Sequence, residues 1–249
     1  MKKQLVFCLM LGLLAYPTAN IWAQEFGELD YDKNIVKLNL TALPLGSFDV
    51  QYERVVARKM SFAVSFRTIP QGGIPLVSQF TSSEEDLDQL DNARFGNFAI
   101  TPEFRFYMGK KDGPRGFYLA PFFRYSSINL QFPEYRIDDS GSMQGKTIDM
   151  EGNITGISGG LMLGSQWRLG KRVYLDWWIL GGGYGSSSGE ISGSTSLTPA
   201  EQEDLRIELN DFDTGFVDTQ VEVDGDGARV GFDGPWATLR GGIALGIKF

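Results

Sequence analysis

The sequence of 249 residues contains no histidine, and its single cysteine is Cys8. Without histidine the chain cannot use imidazole as a general base, a nucleophile or a metal ligand, which excludes the serine and cysteine triads. One cysteine allows no intrachain disulfide, and the lack of both residue types excludes the usual zinc sites. We therefore expect a protein that is not an enzyme and needs no cofactor.

Positive charge is also scarce. The chain has 23 Lys and Arg against 31 Asp and Glu, which gives a formal net charge of -8. Binding to nucleic acid requires clustered cations that neutralise phosphates. We therefore expect no nucleic-acid partner.

The chain has no apolar run of the roughly 18 residues that a membrane-spanning helix needs. Its longest run is the eleven-residue stretch 5–15, which follows Lys2 and Lys3. A positive start followed by a short apolar run is typical of a secretory signal peptide. The sequence thus predicts a cleaved signal peptide at residues 1–23 and a single exported domain at residues 24–249.

Most of the remaining chain alternates apolar and polar residues with a period of two, which indicates β-strands. Eight segments carry the alternation: 36–42, 48–53, 61–67, 100–107, 117–126, 156–167, 173–179 and 239–249. The alternating stretches run for six to twelve residues, and we expect strands of about ten residues each, the length that a tilted strand needs to cross a bilayer. A soluble barrel would place the same apolar rows inside, so alternation alone does not tell the two kinds of barrel apart.

Other features favour a membrane barrel. The apolar rows hold almost no charge, whereas the alternate rows are rich in glycine, serine and ions of both signs. Aromatic residues fall near the strand ends in two groups, as in interfacial girdles: Phe117, Trp167 and Phe249, and Tyr125, Tyr184 and Trp236. The sequence therefore predicts an all-β fold, an eight-stranded antiparallel up-and-down transmembrane β-barrel.

The connections between these segments are of two kinds. Those at 55–59, 109–116 and 168–172 are short and basic, whereas those at 70–97, 131–153 and 183–235 are long. Barrels of this kind have short periplasmic turns and longer extracellular loops, so we expect the long connections to face outward. The last one holds twelve Asp and Glu against two Arg. A capping box at 198–201 predicts a short helix in this extracellular loop over about residues 199–210.

Several short motifs resemble those of a known family. They read NIVKLN at 34–39, LP at 43–44, QYER at 51–54, TPEFRFY at 101–107, GFYLAP at 116–121 and DGPW at 233–236. On these motifs the chain resembles an uncharacterised, DUF3575-like family of small outer-membrane barrels from Gram-negative bacteria of the Bacteroidetes type. It is also similar, more broadly, to the eight-stranded OmpA, OmpX and OmpW barrels. The resemblance implies a fold and a location but no activity.

The charged residues on the inward-facing rows form the main candidate site. They are Lys37, Asp49, Glu53, Arg67, Glu103, Arg105, Arg124, Asp176 and Arg240. An eight-stranded barrel is just wide enough for side chains to fill its interior. We therefore expect an internal salt-bridge network that closes the lumen, with Arg105 or Arg124 as the partner of Glu103. A conduction path or proton relay is the alternative.

The last segment predicts an assembly signal. Ile243, Leu245, Ile247 and Phe249 occupy every second position up to the end of the chain. Such an ending looks like the signal that outer-membrane barrels present to the assembly machinery. The position third from the end is usually aromatic and is Ile247 here.

A weaker pattern lies in the last loop. Glu222, Asp224, Asp226 and Asp233 fall at ligand positions of a calcium loop, with Gly227 at the turn position. The first ligand position holds Glu where Asp is usual, and the last holds Asp where Glu is usual. No helix pair flanks the loop. A solvated acidic hairpin is the simpler interpretation, and weak binding of a divalent cation that bridges lipopolysaccharide is the alternative.

Together these features predict a non-enzymatic outer-membrane barrel with a filled polar lumen. Its acidic loops would serve a structural or surface-interaction role toward an unknown extracellular partner. Its other partners would be outer-membrane lipid, lipopolysaccharide and the barrel assembly machinery. The alternatives are a narrow OmpW-like channel or transporter for small molecules and a soluble, secreted ligand-binding barrel.

Overall fold

The computed structural model describes residues 33–73, 92–110, 112–136, 145–211 and 217–249. The predicted signal peptide lies outside these ranges. The strands are β1 (Asn34–Asn39), β2 (Phe48–Ala57), β3 (Met60–Gly73), β4 (Arg94–Tyr107), β5 (Gly116–Arg136), β6 (Thr147–Arg168), β7 (Val173–Ser194), β8 (Asp218–Asp224) and β9 (Gly227–Lys248). A 3-10 helix (Leu40–Leu45) follows β1, and the α-helix α1 (Pro199–Asp211) lies between β7 and β8.

Eight of the strands form a closed antiparallel ring. Strands β1 to β7 pair in chain order, β7 pairs with β9, and β9 pairs back to β1. At the closing seam Val36 lies opposite Ile247 and Leu38 lies opposite Leu245. The predicted all-β fold with an eight-stranded antiparallel up-and-down barrel and a short helix near its end is confirmed.

Strand β8, which is not part of the ring, pairs with one end of the long strand β9. Residues 244–248 of β9 pair with β1, whereas residues 227–233 pair with β8 on the same edge. The β8–β9 hairpin therefore covers the far end of β9, where an unpaired strand edge would otherwise be open to association, whereas residues 234–243 of β9 pair with neither β1 nor β8. None of the helices in the described residues is long and apolar enough to cross a membrane.

The strands differ in length from the sequence prediction. Strands β5 to β7 and β9 run for 21 or 22 residues, so parts of the connections expected at 131–153 and 183–235 are strand. Strand β1 instead ends early, at Asn39, whose side chain accepts a hydrogen bond of 3.1 Å from the backbone N–H of Thr41. This cap and the αL conformation of Gly46 (φ 64°) enclose the 3-10 helix, where the prediction had strand through residue 42.

The two faces of the ring have opposite character. Polar and charged side chains such as Lys37, Glu53 and Arg105 are buried inside it. The outward side chains of the same strands are apolar and exposed, for example Leu161 at 55% and Leu245 at 40%. In the described ranges, outward charged side chains are absent from the middle of the eight strands that form the ring.

The outward face becomes polar where the strands extend past this apolar band. On β5 the outward residues change from Phe123 and Tyr125 to Ser127, Asn129 and Gln131. The rows that continue across the neighbouring strands are polar as well, since Asn129 pairs with Asn153, Asn153 with Glu190, Gln131 with Glu151 and Glu151 with Ser192. We call the apolar zone the outward band, and the change of polarity marks its outer edge.

One residue of the predicted outer girdle points the other way. A Cβ added to inward-facing Gly156 would lie 2.6 Å from the ring of Trp236, so this ring occupies the barrel interior. Prediction of Trp236 as a girdle residue was wrong because it shares the inward parity of Thr238 and Arg240 on β9. Tyr184 does point outward and is 71% exposed.

Candidate functional site

The candidate site is a layer of buried charges across the barrel interior, which we call the plug. It joins Lys37 on β1, Glu53 on β2, Glu103 and Arg105 on β4, Asp176 on β7 and Arg240 on β9. Each residue has the inward parity of its strand, so the alternation that makes the outward band apolar also brings these charges together.

Arg105 is the centre of the plug. Its Nη1 lies 2.6 Å from Asp176 Oδ2 and 3.4 Å from Glu53 Oε2, and its Nη2 lies 2.6 Å from Glu103 Oε1. Lys37 Nζ contacts the same Glu53 and Asp176 carboxylates at 2.5 and 2.6 Å. These ion pairs place each of the two cations between carboxylates from different strands.

Arg240 lies at the edge of the plug that is nearer to the long connections. Its Nη1 lies 2.7 Å from Glu103 Oε2, so Glu103 bridges Arg240 and Arg105. The Arg240 guanidinium also lies 4.9 Å from the ring centroid of Phe122 and 5.2 Å from that of Trp178. Aromatic faces at this distance stabilise a buried cation.

Neutral side chains complete the hydrogen bonding of the plug. Tyr118 donates to Asp176 Oδ1 at 2.8 Å, and Tyr107 donates to Glu53 Oε1 at 2.6 Å. Gln51 accepts from Arg105 at 2.8 Å, and Gln166 accepts from Lys37 at 2.5 Å. Buried charges are tolerated when their remaining donors and acceptors are satisfied in this way.

Close packing leaves little room for a path through this layer. Tyr118 lies so close to Gly164 on β6 that a Cβ at that position would be 2.3 Å from the phenol oxygen. The guanidinium of Arg105 lies 4.4 Å from the ring centroid of Tyr118 on the other side. The plug thus packs ion pairs and aromatic rings closely against one another inside the barrel, as expected for a ring of eight strands.

Three of the nine predicted lumen charges are outside the ion-pair network. Asp49, Arg67 and Arg124 face the interior, but they form no salt bridge with another described residue. The expectation that Arg124 pairs with Glu103 is wrong, since the partners of Glu103 are Arg105 and Arg240. Arg124 instead donates to Thr101 Oγ1 at 3.2 Å.

Sequence reasoning missed the neutral members of the plug. It considered charges only, although Gln51 lies between Asp49 and Glu53 in the same inward row, and Tyr107 follows Arg105 in the next inward position. The inward parity of these residues was the available signal. Their hydrogen bonds to particular carboxylates could not be read from it, because parity does not give the height of a side chain relative to other strands.

The residues of the predicted assembly signal lie on the last strand. Ile243 and Leu245 face outward on β9, as does Ile247, and all three are exposed. The backbone N–H of Phe249 donates to Asn34 O at 3.0 Å, so the end of the chain continues the seam with β1. The Phe249 ring is 58% exposed.

The acidic residues of the last loop are spread along a hairpin. Asp224 Oδ1 accepts from the N–H of Asp226 at 2.9 Å, which closes the turn. Glu222 lies opposite Arg229, and Asp233 lies opposite Asp218 at the far end of β8. Across the described ranges no three Asp, Glu, His or Cys side chains are grouped so that they could hold a metal ion.

The predicted capping box is present at the start of α1, and its glutamate also contacts a residue next to β6. Glu201 accepts from the N–H and the hydroxyl of Thr198 at 2.7 and 2.9 Å. It also lies 2.7 Å from Lys146 Nζ, just before β6. The hydrogen bonds from Lys146 and Thr198 lower the pKa of Glu201 from its usual 4.5 to about 2.

Comparison with known proteins adds one match. No curated protein matches this chain significantly. A family described as a protein of unknown function (DUF3575) matches residues 7–190, which is more than half of the chain. The predicted resemblance to this family is therefore confirmed, and the chain belongs to the DUF3575 family.

Proposed function

We propose that this protein is an integral β-barrel of the outer membrane of a Gram-negative bacterium, exported with cleavage of residues 1–23. The observation that carries the proposal is the outward band, because a ring with charges inside and uncharged apolar residues outside suits lipid rather than water. A soluble barrel would have the opposite arrangement.

The dimensions of the outward band fit this proposal. On β5 it runs from Phe117 to Tyr125, roughly 26 Å along the strand at about 3.3 Å per residue. A strand tilt of about 40° reduces this to roughly 20 Å, and side chains at both ends add to it, against an apolar height of about 25 Å in known barrels. The stacked rings of Trp167 and Trp177, 6.3 Å apart, would lie near the inner interface.

We further propose a non-enzymatic role with a closed lumen. The plug supports this, because it uses its carboxylates in ion pairs and packs closely inside the barrel. The acidic α1 and β8–β9 region would face outward and provide a structural element or a surface for an extracellular partner. Lipid, lipopolysaccharide and the barrel assembly machinery would be its other contacts.

Membrane fractionation with heat-modifiable gel mobility tests the location. We expect the protein in the outer-membrane fraction, with unboiled material migrating differently from boiled material. A protein that stays soluble after removal of membranes would contradict the proposal. Planar-bilayer recordings test the plug, and a steady conductance from the wild type would support the channel alternative instead.

Single-cysteine labelling tests the orientation. Cys8 lies in the predicted signal peptide, so the mature chain would offer no other thiol. A membrane-impermeant maleimide should label Glu208→Cys in α1 on intact cells. It should label Lys171→Cys, in the turn between β6 and β7, only after the outer membrane is broken. The reverse pattern would show that the orientation is inverted.

A further inference from the structure

A cavity of about 240 Å³ lies beside the plug, between inward-facing side chains and the β9 segment that holds the outward residues Ala237 and Leu239. Strands β3, β4, β5 and β9 all contribute to its wall, through residues that include Arg67, Asn97, Arg124, Ser126, Trp236 and Thr238. We call it the vestibule. It is on the side of Arg240 that faces the outer loops, so the plug separates it from the periplasmic end.

Unlike the plug cations, Arg67 and Arg124 of the vestibule have no carboxylate ion-pair partner among the residues that the structure describes. Arg67 Nε donates to Ser47 Oγ at 2.9 Å, and Arg124 donates to Thr101 Oγ1 at 3.2 Å. Both partners are neutral hydroxyls, and neither arginine forms a salt bridge with another described residue. A guanidinium carries five N–H donors, so each arginine retains donors for a further acceptor.

A single carboxylate in the described ranges, that of Asp49, lies near both arginines, and one negative charge cannot balance two positive charges. Asp49 lies opposite Arg67 on the neighbouring strand and interacts electrostatically with Arg67, Arg124 and Arg240. Its Oδ2 accepts from Asn39 at 3.2 Å, whereas its buried Oδ1 has no hydrogen-bond partner. Glu103 is already shared between Arg105 and Arg240, so within the described part of the chain Asp49 is the carboxylate that remains for both Arg67 and Arg124.

An excess of positive charge in a half-enclosed cavity is unfavourable unless an anion offsets it. Guanidinium groups match carboxylate and phosphate oxygens by forked hydrogen bonds. Arg67 on β3 and Arg124 on β5 line the same cavity and repel each other electrostatically, so an anion bound between them would relieve that repulsion. Phe95 and Trp236 add an aromatic wall to the same cavity.

We propose that the vestibule is a binding site for a small oxyanion, a carboxylate or a phosphate, that enters from the side of the outer loops. Arg67 and Arg124 bind its oxygens, and Trp236 covers its less polar part. The volume is below the range of about 300–1,000 Å³ that is typical of drug-sized ligands, so the ligand is small. This inference goes beyond the proposed function, since the site exists whether or not the band is in lipid.

Tryptophan fluorescence of the folded barrel in detergent tests the site. Iodide, an anionic quencher, should reach Trp236 more effectively than neutral acrylamide does, and the difference between wild type and Trp236→Phe isolates this signal. Inorganic phosphate and benzoate are the two probes. We expect at least one of them to protect Trp236 from iodide with a saturable curve. Phosphate alone would identify phosphate groups as the ligand class, benzoate alone would identify carboxylates, and protection by both a general oxyanion site.

Charge variants decide whether the arginines bind the anion. Arg67→Gln combined with Arg124→Gln should weaken protection about tenfold or more, because two charge-assisted contacts are lost. Neither arginine forms an ion pair with another described residue, and Asp49 keeps its hydrogen bond from Asn39 and its electrostatic interaction with Arg240. The barrel should therefore still fold, which heat-modifiable mobility checks. The single variant Arg124→Gln gives a second test, with a smaller loss expected.

The matched control is Arg54→Gln combined with Arg115→Gln, which removes two cations at the opposite end and should leave protection unchanged. Protection that never saturates with either probe would overturn the proposal. An equal loss in the control pair would overturn it too, because the effect would then come from net charge alone.

Discussion

Arg105 on β4 and Asp176 on β7 are joined across the barrel interior by an ion pair of 2.6 Å, although 71 residues separate them in the chain. Asp176 also binds Lys37 on β1, and Arg105 also binds Glu103 on its own strand. Such buried charges depend on one another, because removal of one leaves its partner without compensation in a medium that solvates it poorly. The plug should therefore respond to mutation as a unit.

The first prediction concerns Glu103 and its two partners. Glu103→Ala should destabilise the barrel by about 3–5 kcal/mol, because it leaves Arg240 without its carboxylate. Arg105 is less affected, since it keeps Asp176. Glu103→Ala combined with Arg240→Ala should therefore cost clearly less than the sum of the two single changes, as measured by denaturant unfolding in detergent.

A matched pair separates this coupling from a general loss of charge. Glu103→Ala combined with Arg124→Ala should be close to additive, because Arg124 forms no ion pair with Glu103. Additive costs for the Arg240 pair as well would mean that the plug residues act independently. Strong coupling only in the Arg124 pair would show that the partner assignment is mistaken.

Features of the fold and of the plug that depend on local alternation along a strand could be predicted from the sequence. The period of two placed Lys37 and Arg105 inside and Leu245 outside, because alternation in a strand is a local property of the backbone. The length of β5 was underestimated, since its outward row turns polar at Ser127 while the strand continues. Polar residues on the outward face do not match a strand surrounded by lipid, so the sequence analysis assigned this part of β5 to a loop.

Two other features could not be predicted because they depend on contacts between distant strands. Glu103 pairs with Arg240 rather than Arg124 because the stagger between β4 and β9 brings those side chains to the same height, which parity does not specify. The inward position of Trp236 was obscured because an aromatic residue near a strand end also suits a girdle. Its space comes from Gly156 on another strand.

The second prediction tests the outward band by moving one charge along one strand face. Leu161→Arg, in the middle of the band on β6, should cost roughly 2–4 kcal/mol in lipid vesicles. Asn153→Arg lies on the same face of β6 but beyond the band edge, and it should change stability by no more than about 0.5 kcal/mol. Equal small effects at both positions would indicate that the band does not face lipid.

The third prediction concerns the end of the chain. Deleting Phe249 removes the backbone hydrogen bond to Asn34 and an aromatic ring at the expected inner interface, where such rings are favoured. We expect less folded barrel in the outer membrane, as measured by heat-modifiable mobility. Phe249→Ala keeps the backbone and should also lower the level, whereas Phe249→Tyr should restore it. Normal levels in both the deletion and Phe249→Ala would exclude a terminal assembly signal.

The last prediction concerns pH and the docking of α1 through Glu201. Its pKa is lowered to about 2 in the folded chain because Lys146 and Thr198 donate hydrogen bonds to the carboxylate. A lowered pKa means that this contribution to stability is fully present above about pH 4.5, the ordinary value. It declines as the pH falls from there and is lost once the pH has passed through about 2.

Hydrogen exchange measures this change. The α1 amides should be protected from exchange equally at pH 5 and 7 after correction for intrinsic rates, and less protected at pH 3. Glu201→Gln removes the charge, so it should show reduced protection already at pH 7 and little further change at pH 3. Exposed Glu208→Gln on the same helix should behave as the wild type. A wild-type helix whose protection does not change down to pH 2 would show that the Glu201–Lys146 contact does not hold α1 in place.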